Sequence, residues 1–287
     1  LLAPFSKAPF NIRFSGPGVV TAATPAGDIS ADTVRTGILP LYANFGIQNH
    51  IELRILRRSS LGADGRGGAG EVQFIFGHQV RLPKTIHIMN PGRIKKIRGV
   101  AYCTGVSASN NARMIEAARG VLNPMTSDTY IFSDVTSAPY VPSNQKSDAA
   151  VKQKTGIGFG LSLVAESSTG ALYSADLASP PSGGIPPEDL GRRCAYQLLE
   201  TISGGGCVSL IAAPTVLTMM AMGSEDVGRV VLGKAVLGTQ QLVNLGRDLR
   251  AFGTSAWGIR ESTSGNQGDV VVSVVGRGVG NVGRKIA

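Results

Sequence analysis

Two stretches of this chain carry the same order of signals, and that repetition constrains the fold more than any other feature. From Ser30, the residues Val34, Ile38, Leu41 or Tyr42, and Phe45 recur at helical spacing, and Gly46 supplies a stop. Pro40 lies inside that run and should kink it, because proline offers no amide hydrogen to the helix. Ile51, Leu53 and Ile55 then alternate with Glu52 and Arg54 as a strand, a glycine-rich loop follows, and Val72, Phe74 and Phe76 mark the partner strand. Near the other end, Leu242, Leu245, Leu249 and Phe252 form a core-facing helical stripe closed by Gly253. Residues 256–261 read as a strand, 262–268 as a turn and 270–275 as a second strand. Two copies of helix–strand–loop–strand predict an α/β architecture of the α+β type, internally repeated, with helices covering one side of each sheet.

Between the copies the pattern changes. Residues 97–106 read as a strand, and Met114, Ile115, Ala118, Val121 and Leu122 form a helical face. Strands at 129–132, 158–166 and 171–175 complete a small β-α-β-β-β module. Its segment 136–155 is polar and expected to be a mobile loop. Leu190, Cys194, Leu198 and Ile202 then line one side of a helix that Pro187 would open. The predicted division is a repeat domain over 1–97, an inserted small α/β domain over 98–178, and the second part of the repeat domain over 179–287.

The 43% hydrophobic content suits a globular chain. The most apolar stretch, 208–222, is too short and too interrupted to span a bilayer, so no membrane partner is expected. Leu1 is not an initiator methionine, and Leu1-Leu2-Ala3-Pro4-Phe5 lacks the marks of a signal peptide, so a preceding N-terminal portion is expected. Cys103, Cys194 and Cys207 form no C-x-x-C pair, which argues against a disulfide framework or zinc site and for a reducing compartment. The 28 Lys+Arg outnumber the 19 Asp+Glu by nine, a balance suited to a polyanionic partner such as RNA.

Several motifs have the spacing of a site. Gly278-x-Gly280-x-x-Gly283 has dinucleotide-fingerprint spacing, but only Arg284 to Ala287 follow, and the fingerprint needs a helix and a returning strand. It is expected to bind no nucleotide. The loop from Arg57 to Glu71, with Arg58, Arg66 and Gly67-Gly68-Ala69-Gly70, joins two strands and reads as a hairpin connection with a basic rim, or as a phosphate contact. His50, His78 and His87 have no partner motif and are expected to be structural. Glu188-Asp189 fits a helix's first turn and Glu225-Asp226 a turn, so no metal is expected. Arg247, Asp248 and Arg250 are the candidate set for RNA cleavage, against the plainer reading of a solvated helix face. Arg54, Arg57, Arg58, Arg66, Arg93, Lys95, Lys96, Arg98, Arg277, Arg284 and Lys285 are the candidates for contact with RNA or a partner. Aromatic content of 6% favours contact with the backbone of structured RNA over base stacking.

Four blocks in order, Arg98-Gly-Val-Ala-Tyr-Cys-Thr-Gly-Val-Ser107, Gly158-Phe-Gly-Leu-Ser-Leu-Val-Ala-Glu166, Pro187-Glu-Asp-Leu-Gly191 and the tail 276–287, resemble the RNA 3′-terminal phosphate cyclase family. They more closely resemble its eukaryotic cyclase-like branch. The resemblance implies helices on repeated four-stranded sheets, a small α/β insert, and a first repeat that would precede Leu1. It further implies that cyclases use ATP and adenylate a histidine on a helix resembling His-Leu-Leu-Thr-Asn-Ile. Here the matching stretch is Gln240-Gln241-Leu242-Val243-Asn244-Leu245, so an amide stands at the nucleophile's position. An amide nitrogen cannot form the phosphoramidate that an imidazole can. Gly67-Gly68-Ala69-Gly70 also departs from the family's glycine triplet.

The resemblance therefore implies a nucleolar ribosome-assembly factor that acts without a cofactor. It implies two partners, an assembly GTPase and the precursor rRNA of the small-subunit precursor particle. The expected role is a non-cyclising scaffold, with an endoribonuclease using Arg247, Asp248 and Arg250 as the alternative and an ATP-dependent cyclase as a more distant third.

Overall fold

Alternating apolar residues build the first sheet of the computed structural model, which describes residues 6, 8–47, 51–62, 67–77, 83–142, 152–254, 256–262 and 268–279. Strands β1 (Phe10–Ser15), β2 (Ile51–Arg57) and β3 (Glu71–Phe76) pair antiparallel in the order β1-β3-β2. The register sets Phe10 against Phe76 and Ile12 against Phe74, and the Phe10 and Phe76 rings stack with centroids 5.8 Å apart. The helical run before β2 is continuous but irregular. It begins as α1 (Ala31–Thr33), where the Ser30 hydroxyl accepts from the Thr33 amide, loosens to a π turn over Val34–Ile38, and tightens to a 3₁₀ turn over Leu39–Phe45. Pro40 explains the change of pitch: it has no N–H, and its ring crowds the carbonyl four residues back. Gly46, at φ +81°, closes the run as expected. Among the described residues this first sheet has three strands where the resemblance implied four.

The middle of the chain forms its own layer pair. A short strand β4 (His87–Ile88) precedes β5 (Ile94–Thr104), α2 (Ser109–Leu122) and β6 (Thr129–Thr136), a parallel βαβ unit. Next come the small β7 (Tyr140–Pro142) and β8 (Lys152–Lys154) ladder, then β9 (Gly158–Ser167) and β10 (Leu172–Ala178). The sheet order is β10-β9-β5-β6. Part of the expected loop 136–155 is thus strand, and 143–151 lie outside the described residues.

One boundary moves. The helix α3 (Pro187–Ser203) fell beyond the predicted edge of the insert at 178, yet it buries Leu190, Cys194, Ala195 and Leu198 in the same core as Met114, Leu161 and Leu163. The reason is elementary: α2 alone cannot cover a four-stranded sheet, and the apolar stripe of α3 supplies the rest. The two helices meet backbone to backbone at Gly191, where a Cβ would lie 2.4 Å from the Met114 carbonyl oxygen.

The last part returns to the repeat. Here α4 (Ala213–Met222), β11 (Val227–Gly233), α5 (Lys234–Leu237), α6 (Gln240–Ala251), β12 (Gly258–Glu261) and β13 (Asp269–Val275) form a layer whose sheet runs β12-β13-β11-β4. The parallel β11–β4 pairing brings a strand from the first part into this sheet. One core then serves both copies, joining Leu41, Phe45 and Phe76 to Val216, Leu217, Val230 and Val272. Leu245 and Leu249 pack against it, but Phe252 does not. At 89% exposure Phe252 lies just past the end of α6 and faces out, contrary to the predicted stripe.

Candidate functional site

The candidate cations separate once their surroundings are known. Arg58, a predicted contact residue, is interior, with its side chain 5% exposed. Its Nη1 donates to Asp32 Oδ2 at 2.5 Å, its Nη2 to Asp32 Oδ1 at 3.1 Å, and its Nε to Asp134 Oδ2 at 2.5 Å. The guanidinium also lies 5.0 Å from the centre of the Tyr102 ring. Burial alone would lower the Arg58 pKa, but hydrogen bonds and charge from Asp32, then Asp134, hold it above its usual value. Burial likewise pushes the Tyr102 phenol upward, with the Asp32 charge adding to it. Arg58 is therefore removed from the binding candidates. It ties the end of β2 and α1 to β5 and β6 of the insert. A neighbouring set extends the junction: Asp176 accepts from the Ser30 amide at 2.6 Å and from the Thr33 hydroxyl at 2.7 Å. Neither Asp32, Asp134 nor Asp176 stood out in the sequence, because each is a lone acid whose partner is distant along the chain.

The other basic residues are at the surface. Arg54 pairs with Glu52 at 2.7 Å, Arg57 with Glu71 at 3.5 Å, Lys96 with Glu166 at 2.9 Å and Arg98 with Asp128 at 2.7 Å. Arg93, Lys95 and Arg277 are exposed, and none makes a side-chain ion pair among the described residues. Arg66, Arg284 and Lys285 lie outside the described residues, as do His50 and His78. His87 is exposed on β4.

The glycine loop is occupied by the protein itself. The Gly67 and Gly70 amides donate to the carbonyls of Leu61 and Val19, and the Gly18 amide donates to Gly68. A Cβ on Gly68 would fall 1.5 Å from Ser59 Oγ and 2.8 Å from Gly156 Cα. These glycines therefore permit close backbone packing against 16–19 and 155–156, and the amides of Gly67 and Gly70 are committed to protein carbonyls rather than an anion. The loop borders a cleft of about 540 Å³ that Pro17, Gly18, Lys154, Phe159 and Ser179 also line.

On α6 the geometry is open. Gln240 is the first helical residue, exposed, and its Nε2 donates to Asn244 Oδ1 at 2.7 Å. Arg247, Asp248 and Arg250 are all exposed, and none of their side chains makes a hydrogen bond or ion pair among the described residues. Helical pitch puts Arg247 and Arg250 on neighbouring positions of one face. Asp248 and Arg250, about 200° apart around the axis, point to nearly opposite sides. The helix alone does not gather the three around one bond. Among the described residues, no three His, Cys, Asp or Glu side chains cluster as metal ligands.

Residues 89–203 match the family model for the insert domain of RNA 3′-terminal phosphate cyclase, and the match spans β5 to the end of α3. Over its whole length the chain is 36% identical to "rRNA processing protein rcl1" of Schizosaccharomyces pombe, covering 72% of that protein. It is 37% identical to the "RNA 3′-terminal phosphate cyclase-like protein" of Mus musculus, over 99% of this chain and 72% of that one. To "rRNA processing protein RCL1" of Saccharomyces cerevisiae it is 30% identical, over 100% of this chain and 71% of the relative. A core shared by two helix–hairpin copies, an inserted four-stranded module closed by α3, and these likenesses along the chain agree: the chain belongs to the RNA 3′-terminal phosphate cyclase-like family.

Proposed function

We propose that this chain acts in rRNA processing as a non-cyclising scaffold of the small-subunit precursor particle, working in the nucleolus with precursor rRNA and an assembly GTPase. The observation that carries the reading is Gln240. At the position where the family resemblance puts an adenylated histidine stands an exposed amide hydrogen-bonded to Asn244. Without a nucleophilic nitrogen no adenylate forms, so the retained fold serves binding rather than end-cyclisation. Relatives named as rRNA processing proteins support the RNA side of the role. The surplus of nine cations supports it too, with Arg93, Lys95 and Arg277 exposed and in no ion pair among the described residues. The GTPase and the particle follow from the same resemblance.

A second reading has one observation in its favour. Arg247, Asp248 and Arg250 all lie on α6 with none of their charges neutralised by a described neighbour, as an endoribonuclease using them would need.

Purified chain incubated with a precursor rRNA fragment separates the readings. The scaffold predicts binding without cleavage, and no AMP on the polypeptide by mass spectrometry after incubation with ATP. Cleavage that Asp248→Ala abolishes, with binding intact, would replace the scaffold with the nuclease. Charge reversal at Lys95, Lys96 and Arg98 should flatten the dependence of RNA affinity on salt by roughly one logarithmic unit per lost phosphate contact. An unchanged slope removes that patch from the RNA surface.

A further inference from the structure

The low aromatic content spoke against base stacking, but the fold concentrates two aromatics at one place. Along β6, Thr129 and Ile131 turn inward on the side of α2, while Tyr130 and Phe132 emerge on the sheet's other face, 55% and 54% exposed. Their rings meet edge to face with centroids 4.6 Å apart. The parallel register places Arg98 beside Tyr130 and Val100 beside Phe132. Arg98 is held in place, since its Nη1 lies 2.8 Å from the Ile97 carbonyl, 3.0 Å from the Asp128 carbonyl and 2.7 Å from the Asp128 carboxylate.

We propose that the β6 side of this face of the inserted module, centred on Tyr130, Phe132 and Arg98, is a stacking platform for single-stranded RNA; the proposal rests on the RNA-binding reading above. The chemistry matches on two counts. An unstacked base recovers its lost π contact on an exposed ring or a guanidinium plane, and its phosphates need cations beside the ring. Beside the pair, Lys95, Lys96 and Arg98 all act on Asp128, Glu166 is matched by Lys96, and Asp134 further along β6 is spent on Arg58, which leaves a local positive surplus. That surplus selects RNA over an extended peptide added to the open edge of β6. A duplex keeps its bases stacked inside and offers these rings nothing.

The test uses the whole chain and a ten-nucleotide single-stranded RNA carrying 2-aminopurine, with the matching duplex as control. Wild-type chain should bind the single strand and quench the probe. Tyr130→Ala with Phe132→Ala should weaken that binding about tenfold or more, abolish quenching and leave the salt slope unchanged. Both side chains are half exposed, so the melting midpoint should stay in place; the single variants Tyr130→Ser and Phe132→Ser give the same reading should the pair melt early. Phe132→Tyr should retain affinity, since the ring is what matters. Wild-type affinity and quenching in the alanine variant would overturn the platform and leave the RNA-binding reading standing. Equal loss of duplex and single-strand binding would overturn it too. Unchanged RNA binding with lost capture of a purified protein partner would assign the face to protein instead. A wild-type chain that binds neither form would remove both the platform and the reading beneath it.

Discussion

Two arginine–aspartate groupings in this molecule look alike as residue types and behave as opposites. Arg58 with Asp32 and Asp134 is withdrawn from water at the junction of the insert and the repeat layers, and Asp32 is fully buried. Arg247, Asp248 and Arg250 stand in solvent along α6. Desolvation makes the difference. A buried cation must be matched by opposite charge, so Arg58 commits each of its three nitrogens to one of two carboxylates. The α6 charges face solvent and make no ion pair among the described residues. Buried charge is structural here, and the charge open to a ligand lies outside.

That contrast can be broken most directly at Arg58. Arg58→Ala leaves the buried Asp32 with Arg35 alone, and should cost about 3 kcal/mol in chemical denaturation. A loss under about 1 kcal/mol would mean water reaches the site and the contrast is false. A smaller effect comes from raising pH, because the interior should resist any new charge. Burial pushes the Cys103 thiol up to about 11 and the Cys207 thiol up to about 12. The native state then holds protons that the unfolded chain, with thiols near about 8.5, releases. The contribution is whole below about 8.5 and is lost as pH rises through 11. Denaturation midpoints that stay flat from pH 8 to 10 would contradict it. The smallest effect belongs to α6. Alanine at Arg247, Asp248 and Arg250 together should move stability by no more than about 0.5 kcal/mol per site while changing RNA binding or cleavage. A large drop in the melting midpoint would show that these charges also serve the fold.

Much of the fold was legible because it rests on local periodicity. The helix stop at Gly46, the β2–β3 hairpin, the β5–α2–β6 unit and the hairpin from Gly258 to Val275 all follow from patterns a few residues long. What could not be read depended on distance along the chain. The partners Arg58 and Asp134 lie 76 residues apart, and no spacing rule connects them. The edge of the insert was set too early because α3 looks like any amphipathic helix until the sheet it covers is known. Phe252 continued the period of its helix but lies beyond the last turn, where periodicity no longer dictates direction. Tyr130 and Phe132 carried a signal that went unused: a strand reading Thr-Tyr-Ile-Phe offers no polar side to the solvent.

The closure of the insert by α3 has a practical corollary for anyone wishing to transplant the module. A fragment trimmed at the end of β10 would leave Leu161, Leu163 and Ala175 under half a roof, an oily sheet ready to stick to its neighbours. The portable unit is the stretch that carries both helices, and the bare glycine at 191 is the hinge pin that lets them sit that close.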